Sequence, residues 1–135
     1  YGWDGSATII NTYEDTDIAF SPSTIANLGF DYQFAKGLSM RLIAKHVSEQ
    51  FLDNTASDDR KLPAYSLIDA SVSYSYKLKK SMPVYATVYF YNLGNTSYAA
   101  NGYTYSGVIS DQRASFNYVY PQAGFHFLMK VGVRF

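Results

Sequence analysis

Five separate runs of this sequence alternate apolar and polar residues with a period of two, which is the pattern of a β-strand with one face in each of two environments. The first sets Ala26, Leu28, Phe30, Tyr32 and Phe34 against Asn27, Gly29, Asp31 and Gln33. Lys36-Gly37 reads as a tight turn, after which Leu38, Met40, Leu42 and Ala44 face away from Ser39, Arg41, Ile43 and Lys45. The third run places Ile68, Ala70, Val72, Tyr74 and Tyr76 on one parity, and the fourth places Val84, Ala86, Val88 and Phe90 there. The last does the same with Phe125, Phe127, Met129, Val131, Val133 and Phe135. No position on the apolar parity carries a charge, whereas Arg41, Lys45, Asp69, Lys77, Lys130 and Arg134 all fall on the other. One face of the sheet therefore meets something apolar and the other something wet. Ile18, Phe20 and Thr24 carry the first run's parity backwards, which predicts a strand extension with Pro22 at a bulge or unpaired position.

The connections between the runs alternate short, long, short, long. Residues 35–37 and 78–83 are short; residues 47–64 and 93–123 are long. Sorting loop length by sheet end is the rhythm of an outer-membrane barrel, with tight periplasmic turns and extended outside loops. Strands of about nine to eleven residues also suit a tilted bilayer crossing. The absence of charge on one parity fits a lipid-facing surface, where a midplane charge costs roughly 2–4 kcal/mol. Tyr32, Phe34, Tyr74, Tyr76, Phe127 and Phe135 lie near run ends, where an interfacial aromatic belt would sit. A soluble β-sandwich whose two sheets bury the same face accommodates the pattern as well.

Composition narrows the field further. Eleven basic and eleven acidic side chains cancel, so the chain lacks the basic footprint that nucleic-acid binding requires. Aromatics at 18% and apolar residues at 47% exclude disorder. Without cysteine there is no disulfide framework, thiolate nucleophile or thiolate metal site. No apolar run approaches eighteen residues, so no transmembrane helix is expected. The fold class is then all-β, antiparallel strands of a transmembrane barrel. Five strands cannot close such a barrel, so the chain is expected to be a piece of a larger one. Residues 1–23 read as an outside loop with the strand extension, and residues 24–135 as five barrel strands with two long outside loops.

Several segments carry a family likeness. Lys45-His46-Val47-Ser48-Glu49-Gln50-Phe51-Leu52-Asp53-Asn54-Thr55 resembles the K-Y-V-x-x-Q-Y-L-D-N-T segment of Bacteroidetes-type TonB-dependent outer-membrane receptors. Thr16-Asp17-Ile18-Ala19-Phe20-Ser21-Pro22-Ser23 is similar to that family's T-D-I-x-F-S-P-S. Asn101-Gly102-Tyr103-Thr104-Tyr105 and Tyr120-Pro121-Gln122-Ala123-Gly124 resemble its N-G-[WY]-x-Y and Y-P-Q-A-G. Tyr91-Asn92-Leu93-Gly94-Asn95-Thr96-Ser97-Tyr98 keeps part of N-N-L-F-N-x-x-Y, departing at Tyr91 and Gly94. The resemblance implies the final strands of a 22-stranded, plugged barrel in the bacterial outer membrane. Its implied function is TonB-driven import of a scarce, bulky nutrient of the siderophore, cobalamin, oligosaccharide or peptide class. Implied partners are outer-membrane lipid, the remaining strands and plug domain, the TonB complex through a region N-terminal to these residues, and a surface lipoprotein. Val133 and Phe135 resemble the C-terminal signal read by the barrel-assembly machinery, with Lys130 and Leu128 departing from it.

Within the last long loop, Tyr98, Tyr103, Tyr105, Arg113, Tyr118 and Tyr120 are the ligand-binding candidates, because aromatic faces beside directed polar groups suit sugar rings or flat chelates. The bland alternative is that these rings pack the loop against its neighbours. No cofactor, metal site or catalytic residue is expected. Asp53, Asn54, Asp58 and Asp59 lack the spacing of a calcium loop and read as a solvated loop. Neither His46 nor His126 has a serine brought to it by the sequence, which leaves a barrel enzyme needing a serine beside His126. A soluble carbohydrate-binding sandwich is the other alternative.

Overall fold

The computed structural model describes residues 12–77, 82–109 and 112–133. Its main body is one antiparallel five-stranded sheet of β1 (Ile25–Ala35), β2 (Leu38–Val47), β5 (Tyr65–Lys77), β6 (Pro83–Tyr91) and β9 (His126–Val133), ordered β1-β2-β5-β6-β9. These are the five runs of the period-two pattern. Two smaller antiparallel pairs, β3 (Gln50–Phe51) with β4 (Lys61–Leu62) and β7 (Ala99–Ile109) with β8 (Gln112–Pro121), occupy the two long connections. A three-residue 3-10 turn spans Asp58–Arg60. Among the described residues no helix is long and apolar enough to cross a membrane, which leaves crossing by strands untouched.

Register makes the pattern a surface. Leu28 pairs with Ala44, Ala44 with Ile68, Met40 with Val72, Val72 with Val88, and Val88 with Met129. Every one of these joins apolar parity to apolar parity, so a single unbroken apolar face runs across all five strands. That face is bare: Leu28 is 74% exposed, Phe127 67% and Val131 62%. Neither of the smaller β pairs covers it. The opposite face carries the cross-strand pair Asp31–Arg41, bidentate at 2.6 and 3.1 Å, and the Ser73–Thr87 hydroxyl contact at 3.0 Å.

The sheet is open. β1 pairs only with β2 and β9 only with β6, so both outer edges present unpaired backbone groups among the described residues. The short connections leave from one end, where Gly37 adopts φ +85 to turn the chain, and both long connections leave from the other.

Two expectations need correction. The strand does not extend back through Ile18 and Phe20: Phe20 takes a left-handed φ of 56, the Ser21 amide bonds to the Ile18 carbonyl, and β1 begins at Ile25. The last connection is largely β-structure, a hairpin whose register runs from Ala99↔Pro121 to Ile109↔Gln112. Its alternation was present in the sequence as Tyr103, Tyr105, Phe116, Tyr118 and Tyr120 at every second position.

Candidate functional site

What the described residues bury lies at the loop end. Val47, Leu52 and Leu62 are the buried apolar residues, accompanied by Gln50, Arg60 and Asn92. The motif segments converge there. Phe20 donates its amide to the Phe51 carbonyl (2.9 Å) and Ala19 to Asn54 Oδ1 (2.6 Å), which lays the first motif along the second. Ser48 ties in the chain between them, donating its amide to the Thr24 carbonyl (3.0 Å) while its hydroxyl accepts from the Thr24 amide (3.1 Å).

Arg60 holds the two long connections together. Its side chain is only 7% exposed; Nη1 donates to Asp53 Oδ2 at 2.6 Å and Nη2 to Ser115 Oγ on β8 at 2.9 Å. Nε is buried with no hydrogen-bond partner, 4.0 Å from Asp59 Oδ2. Burial alone would raise the Asp53 carboxyl, but hydrogen bonds from Thr55 and Arg60 outweigh it and hold the group below the usual carboxylate range. Asp53 is therefore part of a buried latch and not a solvated loop residue. Nearby, hydrogen bonds to Asp58 and Glu49 raise the Lys61 ammonium. Asn117 donates to the Asp59 carbonyl and Gln50 Nε2 to the Ala100 carbonyl (3.3 Å), which adds two further ties to the hairpin.

Asn92 and Asn95 close the base of the hairpin. The Asn92 amide donates to Asp69 Oδ1 (2.8 Å), and its side-chain nitrogen donates to the carbonyls of Thr96 (2.9 Å) and Ala123 (3.2 Å). Asn95 Oδ1 accepts from the Phe125 amide at 2.9 Å. Both take positive φ, 53 and 49, a conformation asparagine tolerates. A Cβ at Gly102 would stand 2.5 Å from the Tyr118 carbonyl oxygen, so glycine is required there; one at Gly124 would stand 2.5 Å from Asn95 Oδ1 and would displace that side chain from the Phe125 amide. The part of N-N-L-F-N-x-x-Y that the chain keeps is thus the part that grips Y-P-Q-A-G.

The hairpin divides the candidate residues. Tyr103 and Tyr118 are register partners with stacked rings, 5.0 Å apart and 16° from parallel, and Tyr120 lies 6.2 Å from Tyr103. Tyr105 faces Phe116 across the ribbon. These five rings share one face, which is exposed, while the other face bears Gly102, Ser115 and Asn117 and packs on the Arg60 latch. Tyr98 belongs elsewhere. It packs against Tyr65 (4.6 Å), where burial, then Tyr65 and Asp69, push its hydroxyl up. There it lines a cavity of about 240 Å³ with Leu62, Val119 and Pro121. The Arg113 backbone pairs with Val108, but its side chain lies outside the described residues. Val133 pairs with Val84 on the apolar face; Phe135 also lies outside the described residues.

The polar face of the sheet adds a second lining, missed in the sequence because its members sit among ordinary strand residues. Tyr89 stacks on Tyr91 (6.3 Å) and Tyr91 on His126 (5.0 Å). His126 Nδ1 donates to the Gly124 carbonyl at 2.9 Å, which leaves Nε2 as the acceptor. Contrary to expectation, the fold does bring a serine to a histidine: Ser66 Oγ lies 2.9 Å from His46 Nδ1, its register partner. Among the described residues no carboxylate is hydrogen-bonded to that imidazole, and no group of three His, Asp or Glu side chains is placed to hold a metal ion.

The described residues thus define an all-β class of protein, an open antiparallel sheet with an exposed apolar face and an elaborated loop end. The crystal structure of BauA, the ferric preacinetobactin receptor from Acinetobacter baumannii, contains the same fold, at a TM-score of 0.61 and 23% identity over 87% of this chain. The match spans 16% of that receptor's length. No family model and no curated protein matches the chain.

Proposed function

We propose that the chain forms the closing section of the barrel of a TonB-dependent outer-membrane receptor, which binds and imports a scarce, bulky nutrient and performs no chemistry itself. The observation that carries this reading is the single apolar face, continuous in register over five strands and left uncovered, with both long connections at one end. Lipid satisfies such a face without a second sheet. The two bare edges would pair with the remaining strands, since unpaired backbone in hydrocarbon is prohibitive. The polar face would then meet the plug, and the aromatic hairpin would stand on the outside with Tyr103, Tyr105, Tyr118 and Tyr120 toward the medium. The fold shared with a ferric-ligand receptor supports a receptor role. The Bacteroidetes motifs favour the same assignment, because they meet in one packed cluster.

The soluble sandwich that binds carbohydrate needs a second sheet over Leu28, Phe127 and Val131, and these residues are exposed. The test begins with the intact mass of the native envelope polypeptide and a peptide map upstream of Tyr1. A product many times larger than 15.2 kDa, inserted in the outer membrane and migrating faster unheated than heated, is expected. Deleting its gene should abolish growth on one nutrient from a panel of ferric siderophores, cobalamin, oligosaccharides and peptides. A mature water-soluble product beginning at Tyr1 would overturn the proposal.

A further inference from the structure

We infer that Asn101-Gly102 is a self-modifying site, at which the Gly102 amide nitrogen attacks the Asn101 carboxamide and expels ammonia, with water as the co-reactant that completes the change. The inference is independent of the membrane reading above. Asn101-Gly102 is the single Asn-Gly pair among the chain's 135 residues, so the chemistry is confined to one place. It lies in β7 where the register breaks. Ala99 pairs with Pro121 and Gly102 with Val119, so Ala100 and Asn101 together stand opposite Tyr120. Asn101 is exposed at this bulge. The Gly102 amide donates to Asn101 Oδ1 at 2.7 Å, which holds the carboxamide against the nitrogen that attacks it. A turn about χ2, a soft torsion in asparagine, then presents Cγ to that nitrogen. Packing dictates the glycine as well. A Cβ at Gly102 would stand 2.5 Å from the Tyr118 carbonyl oxygen, so the hairpin admits only a residue with no side chain to shield its nitrogen.

In the step itself, the Gly102 nitrogen gives up its proton and bonds to Asn101 Cγ. The Cγ–Nδ2 bond breaks, and ammonia leaves with a proton returned from water, which closes a five-membered succinimide. Water then adds to one ring carbonyl and breaks that carbon's bond to the Gly102 nitrogen, which takes a proton back. Opening at Cγ leaves aspartate; opening at the main-chain carbonyl leaves isoaspartate, whose backbone runs through the side-chain carbons. Either product adds a negative charge, and isoaspartate adds a methylene to the chain. The neighbouring asparagines are held differently. Asn92 Nδ2 donates to the Thr96 and Ala123 carbonyls, Asn95 Oδ1 accepts from the Phe125 amide, and the residues that follow them are Leu93 and Thr96. Lengthening the backbone at Asn101 disturbs two features beside it: the Ala100 carbonyl, which accepts from Gln50 Nε2 at 3.3 Å, and Tyr103, whose ring stacks on Tyr118. The modification therefore loosens the hairpin from the latch at its base.

The experiment ages the full-length protein, extracted in mild detergent, at neutral and at mildly alkaline pH. Mass spectrometry follows the tryptic peptide 81–113, which holds Asn92, Asn95 and Asn101 together. Asn101 should gain about one dalton, about tenfold faster than either of the other two, and faster at the higher pH. Fragmentation of the peptide should show isoaspartate at that position. A synthetic peptide of the same residues sets the unrestrained rate, and the folded protein should react within about tenfold of it. A larger slowing means that the fold shields the pair, and it overturns the inference. Asn101→Gln, whose longer side chain disfavours the five-membered closure, should abolish the gain; a gain that persists there belongs to another residue and overturns it too. Cleavage by protease within residues 99–121 should rise with the isoaspartate fraction. Cleavage that stays constant as isoaspartate accumulates overturns the loosening of the hairpin.

Discussion

The sheet and the loop end follow opposite rules of burial. The five long strands contribute one buried apolar residue, Val47, at the strand end that meets the loops, and elsewhere their Leu, Val, Phe and Met side chains are exposed or half-buried. At the loop end Leu62 is fully enclosed, Leu52 nearly so, and Arg60 and Asn92 are buried with hydrogen bonds to their neighbours, Arg60 Nε excepted. A soluble domain does the reverse, with its core between regular elements and its loops in solvent. The difference teaches that the loop cluster supplies its own apolar partner, whereas on the proposed membrane reading the sheet borrows one from the surroundings.

The contrast is broken most severely by a charge on the bare face. Val72→Arg, in the middle of the apolar rows, should cost about 2–4 kcal/mol and abolish insertion of the full-length barrel, while Ser73→Arg next door should insert normally. Heat-modifiable migration of the two variants separates them; equal tolerance would mean that lipid does not cover this face. Next in size is Asp53→Ala, which strands the Arg60 charge and should destabilise the loop cluster by about 3 kcal/mol. Limited proteolysis should then cut residues 48–64 and 99–121 while the barrel stays inserted.

The same latch has a pH signature. Asp53 titrates below its ordinary value in the fold, so its contribution is complete above about pH 4 and fades as the pH falls through the folded value. Protease sensitivity confined to the loop end should appear on acidification, before any loss of the barrel. Asn92→Ala comes third, removing the bonds to Thr96 and Ala123 for about 2 kcal/mol. Faster hydrogen exchange at Thr96 is the readout, with the exchange of β5 and β9 unchanged. Smallest is Arg41→Ala, which deletes an exposed, solvent-screened pair and should leave the urea unfolding midpoint in liposomes nearly unchanged.

Legibility in the sequence followed these two rules. The strands were readable because each residue's environment is set by its parity alone, and a slip of one would put Arg41 or Asp69 on the apolar face. The loop end was readable only as likeness. Asp53 looked like one of four polar loop residues until Arg60, seven positions away, closed on it from inside the cluster. Tyr98 looked like one more ring in a row of tyrosines until the hairpin put it against Tyr65, apart from the others. Both depend on contacts between segments distant in the chain, for which a single sequence has no periodic signal.

By itself, then, the sequence determined the five strands, their two faces and the sorting of short and long connections to opposite ends, because a local period of two fixes side-chain direction without reference to any other segment. Only the tertiary structure decided that Arg60 joins the two long connections, that Asn92 and Asn95 grip the residues around Gly124, and that the tyrosines divide between an exposed ribbon face and a cavity wall. The first two outcomes rest on hydrogen bonds between segments up to fifty-five positions apart, and the third on ring packing and strand register; such contacts exist only once the chain has brought both partners together.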